Sequence, residues 1–330
     1  MLFADPGSVA PLVHLFLALL LDAAVGDPPL LWRLLPHPVV LMGRLIAFFD
    51  RRLNRPPRSE RARRFRGCVA VLAVAGAAAI VGLVLAWLAT RLRVGPAIDI
   101  LAIAILVAQR SLYDHVLAVA AALDRGGAEA GRAAVTHIVG RSPESLDEHG
   151  VARAAVESLA ENFSDGVVAP VFWTLLFGLP GLLVYKAVNT MDSMIGHRTP
   201  QYRAFGWAAA RLDDLLNLVP ARLSGLLIAA AALGTPGATA GSALVTMVRD
   251  AGKHRSPNAG WPEAAMAGAL GFALAGPRRY PEIIVDAPWI GAGRARLASA
   301  DIERALVLYV RSCGLLIGMI GLAAFIGWLW

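Results

Sequence analysis

Three clusters of acids, amides and bases lie between Glu157 and Arg222, inside an otherwise apolar chain. The first, ESLAENFSDGVVAPVFW, holds Glu157, Glu161 and Asp165 at i, i+4 and i+8, with Asn162 beside them. On a helix of 3.6 residues per turn this spacing draws one carboxylate stripe, drifting about 40° per step. The second, YKAVNTMDSMIGHR, carries Asn189, Asp192, His197 and Arg198 into a glycine-containing turn. The third, FGWAAARLDDLLNLVPAR, brings Arg211, Asp213, Asp214, Asn217 and Arg222, with Asp213 and Asn217 one turn apart. Packing alone does not account for polar groups this dense beside apolar segments.

A fourth polar stretch, KHRSPNAGWPEAAMAGALG, runs from 253 to 271. Lys253, His254 and Arg255 supply donors and positive charge. Ser256 and Asn258 sit in a strong turn, and Pro262, followed by Glu263, belongs to the first turn of a helix. Backbone amides at such a start suit a phosphate or carboxylate. The alternative is an ordinary helix-start turn flanked by snorkelling cations.

The elements that must position these groups are membrane helices. Of 330 residues, 57% are hydrophobic and 17% charged, with mean hydropathy +0.59. A soluble domain carries about 25% charged residues. Several apolar runs approach or exceed the ~20 residues a spanning helix needs, and the alternating ten-residue strands of a transmembrane barrel are absent. The expected fold is all-α: a polytopic bundle over 1–330 with broken or re-entrant helices and a polar cytoplasmic insert at about 109–165. The net charge of +7 is no nucleic-acid signal, because eight arginines fall between Arg51 and Arg66, just before the apolar run Gly67–Ala89. That is the positive-inside pattern, which assigns this loop to the cytoplasm. Cys68 and Cys313 have no metal-site spacing and read as buried thiols.

The first apolar segment, 11–25, carries Asp22, and prolines at 28, 29, 36 and 38 prevent one continuous helix through 26–46. Asp22, Asp27 and His37 belong either to a site or to helix caps and loop contacts. Gly67–Ala89 and Val94–Val107 form a hairpin. Helical stretches at 113–123 and 127–137 read as amphipathic. Val167–Val188 is long enough to cross but is punctuated by Pro170 and by Gly178-Leu-Pro-Gly181. A hairpin turning there would return Asp165 and Asp192 to one side. Leu223–Leu233 is followed by a second break, Gly234-Thr-Pro-Gly237. A last span runs from Ala305 to Trp328, where Trp328 and Trp330 suit an interface, and Arg311 calls for a partner in the bundle. No P-loop sequence occurs.

The blocks GDPP…HPV…MGR, ENFSDG…AP.F, NTMDSMIGHR, FG…ARLDD..N..PAR and SPNAGWPEAAMAGALG occur in that order between about Asp22 and Tyr280. Together they resemble the CobD/CbiB family of cobalamin biosynthesis, the adenosylcobinamide-phosphate synthases. The resemblance implies a multi-pass inner-membrane ligase with a cytoplasm-facing site. It would join the propionate carboxylate of adenosylcobyric acid to (R)-1-amino-2-propanol or its O-phosphate, with ATP as co-substrate and Mg²⁺. The implied partners are the corrinoid, the amino alcohol and the bilayer, with homo-oligomers or other cobalamin-pathway enzymes as further candidates.

That chemistry needs an activated carboxylate and a base for the ammonium, and hard Mg²⁺ prefers carboxylates, water and phosphate oxygens. Glu157, Glu161, Asp165, Asp192, His197 and Asp214 are the catalytic candidates; Asp192, Asp213 and Asp214 are the Mg²⁺ candidates. Asn162, Asn189, Arg198, Arg211, Asn217, Arg222, Lys253, His254, Arg255, Ser256, Asn258 and Glu263 are candidates for binding substrate or phosphate. Structural alternatives stay open: Asp213 and Asp214 could pair with Arg211 and Arg222, and Glu161 could cap its helix. ARLDDLLN also resembles the aspartate pair of Mg-dependent intramembrane transferases, but a second such motif is missing. Broken helices are a transporter feature too, although no two-half repeat is visible.

Overall fold

The computed structural model describes residues 9–55, 57–139, 143–279, 284–285 and 287–330. Tyr280, the approximate end of the stretch that carries the motif blocks, lies outside them. The described residues form thirteen α-helices: α1 (Ala10–Val25), α2 (Pro29–Leu34), α3 (Pro38–Leu53), α4 (Glu60–Arg91), α5 (Gly95–Leu106), α6 (Gln109–Val135), α7 (Glu148–Phe163), α8 (Ala169–Ile195), α9 (Trp207–Leu216), α10 (Leu218–Ala232), α11 (Ala240–Asp250), α12 (Gly260–Leu270) and α13 (Ser299–Leu329). Among the described residues, four stretches are long and apolar enough to cross a membrane: Glu60–Arg91, Gly95–Val135, Glu148–Ile195 and Ser299–Leu329. The bent pair α9 and α10 would make a fifth. Two short antiparallel pairs, which composition did not suggest, join β1 (Leu274–Ala275) to β4 (Trp289–Ile290) and β2 (Arg278–Arg279) to β3 (Ile284–Val285).

The chain clusters into two compact units, one of residues 1–108, 169–217 and 320–330, the other of residues 109–168 and 218–319. In the first unit, α4 carries an inward stripe of small residues, Gly67, Ala70, Val74, Ala78 and Gly82. Such a stripe lets backbones approach closely where no hydrophobic force drives helices together. A Cβ at Gly82 would lie 2.5 Å from Pro180 Cα, and one at Gly67 would overlap Phe205 O. The helix opens on Ser59, whose hydroxyl accepts the Ala62 amide at 3.3 Å. His14 and Asp99, 3.0 Å apart, tie α1 to α5.

The break in α8 is at Gly178, in the left-handed region at φ 64°, where glycine alone escapes the Cβ penalty. A Cβ on Gly181 would lie 2.5 Å from the carbonyl oxygen of Trp173. Eight residues of straight helix would separate these positions by about 12 Å. The chain therefore folds back here, at the first of the four residues expected to turn. Beyond the fold-back, α8 runs alongside α4 from the Gly82 contact to the arginine-rich end. There the segment 197–206 is fastened to α3 and α4. Asn54 Nδ2 and the Arg63 guanidinium both donate to Gln201 O, Arg203 pairs with Glu60, and Tyr202 Oη donates to Asp50 at 3.3 Å.

In the second unit, α6 breaks at Gly126–Gly127, between the two amphipathic stretches read from sequence. A π-helical turn, Ser164–Val168, follows α7 and packs on α10. The α10, α11 and α12 helices pack against one another, with Gly225 against Met247 and Trp261, and Gly268 against Ser242 and Thr246. Two expectations are corrected. Arg311 is exposed and has no hydrogen-bond or carboxylate partner among the described residues; its guanidinium extends instead toward the Gly234 turn. Cys68 is only half-buried, whereas Cys313 is buried, and both are free.

The close approach at Gly82 yields a paired test. Gly82→Ala should lower stability by about 1–3 kcal/mol, because the added methyl meets backbone that cannot swing aside. Gly76→Ala, on the same helix with nothing within 4 Å of the added carbon, should be neutral or stabilise by up to about 1 kcal/mol. Melting temperatures in detergent measure both; equal shifts would refute the packing account.

Candidate functional site

In the first unit the fold-back of α8 gathers one set of predicted residues. Asp192 lies in the last turn of α8, where its carbonyl accepts the Gly196 amide at 2.7 Å. A side chain at Gly196 would overlap the Asp192 carboxylate, so glycine leaves that carboxylate its space. No hydrogen bond reaches the Asp192 carboxylate among the described residues. His197, Asp213 and Asp214 all lie within its electrostatic reach.

Asp213 faces inward from α9 and is 8% exposed. Burying a carboxylate is costly unless its oxygens find donors. Here Asn189 Nδ2 donates to Oδ1 at 3.2 Å, and Asn217 Nδ2 donates to Oδ2 at 3.1 Å. Tyr185 Oη in turn donates to Asn217 Oδ1 at 2.9 Å, which orients the amide toward Asp213. Asp214, on the more open side of α9, pairs with Arg211 at 2.9 Å and feels the charge of Arg198. The unit therefore combines three carboxylates, two guanidiniums, an imidazole and two carboxamides. Among the described residues no three His, Cys, Asp or Glu side chains form a metal cage. Two or three aspartates in range of one another still suit Mg²⁺, which keeps waters and takes substrate phosphate oxygens as its remaining ligands.

The second unit holds the other predicted residues, many of them in structural contacts. The stripe Glu157–Glu161–Asp165 does not continue as expected: α7 ends at Phe163 and Asp165 enters the π-helical turn. Wider winding shifts its side chain off the α-helical face. Glu157 is buried, and its Oε1 accepts the Ala275 amide at 2.8 Å. Ala275 has φ 56°, the left-handed region that costs an L-residue roughly 1–2 kcal/mol. Glu157 thus holds a strained strand residue in place. Asn162 Nδ2 donates to the carbonyl and hydroxyl of Ser158, at 2.9 and 3.1 Å.

The turn before α12 spends amides that sequence offered to an anion. Ser256 N–H donates to His254 Nδ1 at 3.0 Å, and Asn258 and Ala259 N–H donate to Ser256 Oγ at 3.2 and 3.3 Å. His254 Nε2 stands 3.7 Å from the buried carboxylate of Glu263. Asn258 is buried, Arg255 is exposed, and Arg222 stacks on Trp261 at 4.4 Å while donating to Leu218 O.

His37 caps α3 by accepting the Val39 amide at 3.2 Å and faces Asp27 at 3.8 Å, as the capping alternative required. Its burial, only partly offset by Asp27, lowers its pKa. Two residues were missed by motif reading. Tyr185 stands one helical turn before Asn189, and a buried phenol needs such a partner. Asp250, with no exposed surface, accepts from Arg249 at 2.7 and 2.8 Å, from the Gly291 amide at 2.8 Å, and pairs with Lys253 at 2.7 Å. The flanking sequence Arg249-Asp250…Lys253 was the available signal. The Arg249 hydrogen bonds hold the Asp250 carboxyl well below the usual carboxylate range.

Residues 15–309 match the family model described as CobD/Cbib protein. The chain is 54% identical over 312 residues to a cobalamin biosynthesis protein CobD from a Sinorhizobium species, an overlap of 94% of this chain and 97% of that one. Identity to the protein of the same name from Rhizobium meliloti is 53%, covering 92% and 94% of the two chains; for Brucella suis it is 51%, covering 96% and 98%. No solved structure matches.

Glu157→Gln keeps an acceptor for the Ala275 amide and should leave stability nearly unchanged, whereas Glu157→Ala should lose about 1–3 kcal/mol. Melting curves decide this, and equal losses would remove the strand-holding role. For Asp250, a depressed pKa means stabilisation that is present above the ordinary value of 3.8 and fades as pH falls through the folded value. Asp250→Asn should cost about 1.5–3 kcal/mol at neutral pH by weakening the charge-assisted hydrogen bonds from Arg249 and Lys253, and its gap from wild type should narrow below about pH 4. A gap constant with pH would contradict the assignment.

Proposed function

The chain belongs to the CobD/CbiB family of cobalamin biosynthesis, and from this premise we propose that it forms the amide bond between a corrinoid propionate and an amino alcohol. The reactants are adenosylcobyric acid and (R)-1-amino-2-propanol or its O-phosphate. The observation that best supports this reading is the assembly of Asp192, His197, Arg198, Arg211, Asp213 and Asp214 in one unit. A carboxylate and an ammonium do not condense at neutral pH, since one lacks a leaving group and the other a lone pair. Transfer of the ATP γ-phosphoryl group to the propionate gives an acyl phosphate and ADP. Loss of a proton from the ammonium then frees nitrogen to attack the acyl carbon, and phosphate departs.

In this reading Asp192, with His197 beside it, takes the proton. Arg198 and Arg211 hold phosphate oxygens, and Asp213 is the fixed member of the aspartate set, oriented by Asn189, Asn217 and Tyr185. Bound Mg²⁺ would neutralise phosphate charge, with Asp213 and Asp214 as its protein ligands. Glu157 is assigned a positioning role. We place the protein in the inner membrane. The positive-inside rule puts the Arg51–Arg66 segment, and with it the adjoining 197–206 segment, in the cytoplasm where ATP is available.

Detergent-purified protein incubated with adenosylcobyric acid, Mg²⁺, ATP and each amino alcohol in turn should convert the corrinoid to a product of the corresponding amide mass. Asp192→Asn should lower the rate by about 10²–10⁴-fold, the usual range for a lost acid–base group, with an unchanged melting temperature. Folded wild-type protein yielding no ATP-dependent amide with either amine would overturn the proposal, and wild-type rates in Asp192→Asn would remove that residue from the chemistry.

A further inference from the structure

The basic segment between α3 and α4 contains a hydrogen-bonded hub that charge topology alone does not demand. Asn54 follows the last turn of α3, and both ends of its carboxamide are used. Nδ2 donates to Asp50 Oδ1 at 2.8 Å and to Gln201 O at 3.2 Å, while Oδ1 accepts Arg63 Nε at 2.9 Å. The Arg63 guanidinium donates to Gln201 O as well. One carbonyl oxygen in an exposed loop thus takes donors from the end of α3 and the start of α4. Both of its lone pairs are filled by protein groups where water would serve.

The loop so held is 197–206, and its shape explains the need. Its base is closed, because a Cβ on Gly206 would overlap Ile195 O. Inside it, Thr199 O accepts the Tyr202 and Arg203 amides at 3.0 and 2.8 Å, and Tyr202 O accepts the Gly206 amide at 2.7 Å. A short surface loop with its ends together and turns of its own is an Ω-loop. Residues 197–201 are all exposed, so no burial fixes the limb that carries His197 and Arg198. The His197 ring leans instead on Tyr202, with 6.4 Å between centroids, and Tyr202 Oη donates to Asp50 Oδ2 at 3.3 Å. Burial, then the charge of Asp50, raises the Tyr202 pKa, so the phenol stays a donor. Asp50 therefore joins the two halves of one clasp, with Oδ1 on Asn54 and Oδ2 on Tyr202.

We propose that Asp50, Asn54 and Arg63 are positioning residues for the amide-forming site, holding His197 through Tyr202 and Arg198 through the carbonyl of Gln201. The proposal rests on the reading that His197 and Arg198 serve that reaction. It gives the arginine-rich segment a second role besides topology: its Asn54–Arg63 pair pins the one limb of the site that packing leaves loose.

The test compares detergent-purified full-length wild type with Asn54→Ala and Arg63→Ala, by hydrogen–deuterium exchange and by ATP-dependent amide formation. Exchange of the Tyr202, Arg203 and Gly206 amides should quicken by at least about 5-fold, the worth of one lost hydrogen bond, with a nearly unchanged melting temperature. The kcat/KM for ATP should fall by about 10–10²-fold, since a displacement of about 1 Å suffices for such a loss. Arg63→Lys, which keeps a donor for Gln201 O, should recover most of it. Arg61→Ala, at an exposed position on the same helix, should match wild type in both measurements. Unchanged loop exchange in both alanine variants would overturn the clasp. Faster exchange with wild-type kinetics would overturn the positioning role and leave the reaction standing. Wild type giving no amide with either amine would overturn the reaction and the positioning role with it. Should Arg63→Ala fail to fold, Tyr202→Phe removes only the bond to Asp50 and should show the same paired change in exchange and rate.

Discussion

The first unit depends on one backbone conformation, the left-handed Gly178 that turns α8 back on itself. A helix interior satisfies its own amides and carbonyls, which is why helices dominate in lipid, and any break must find other partners. Here the break is a single residue wide, followed by Pro180, which needs no amide acceptor. Gly82 on α4 makes room for the corner. The second arm of α8 then descends beside α4 and delivers Asn189 and Asp192 to the end where α9 begins. Without the turn, the Asp192 turn and the aspartates of α9 would have no common location.

Within that frame the acids of the chain divide by how their oxygens are used. Asp213, Asp250 and Glu157 are buried and carry backbone, amide or cationic donors. Each repays its desolvation by fixing something: the α8–α9 contact, the turn after α11, or the strained strand at Ala275. Asp192 differs, since among the described residues no hydrogen bond reaches its carboxylate, and glycine clears the space beside it. A carboxylate left with open lone pairs near other carboxylates is poorly explained by stability, and chemistry is the economical reason for its place.

Sequence carried the architecture further than the contacts. Hydropathy placed the long spans, and glycine–proline punctuation located the breaks near 178 and 234, because these residues act through their own backbone limits. The one-turn spacing of Asp213 and Asn217 became a real hydrogen bond for the same local reason. Spacing failed where winding changed: Asp165 left the Glu157–Glu161 stripe once the helix widened into a π turn. The use of Glu157 by Ala275 and the closure of Asp250 by Gly291 join residues 118 and 41 apart, and the strand pairs are only two residues long on each side. No periodicity reports such pairings. Arg311 is a different case, since a charge in an apolar run suggests a partner only if its side chain faces inward, and here it does not.

The motif 254–263 shows how a local signature can belong to two accounts at once. Serine, proline and asparagine before a helix indicate an anion cradle or a self-capped turn, and the residues are the same in both. The structure distinguishes them by the direction of three amides, which point at Ser256 Oγ and His254 Nδ1. Those three donors are spent within the turn, and Lys253 is already paired with Asp250. Arg198 and Arg211 are grouped with Asp192 and Asp214 in the first unit, whereas the turn that sequence made more conspicuous directs three of its amides at its own side chains.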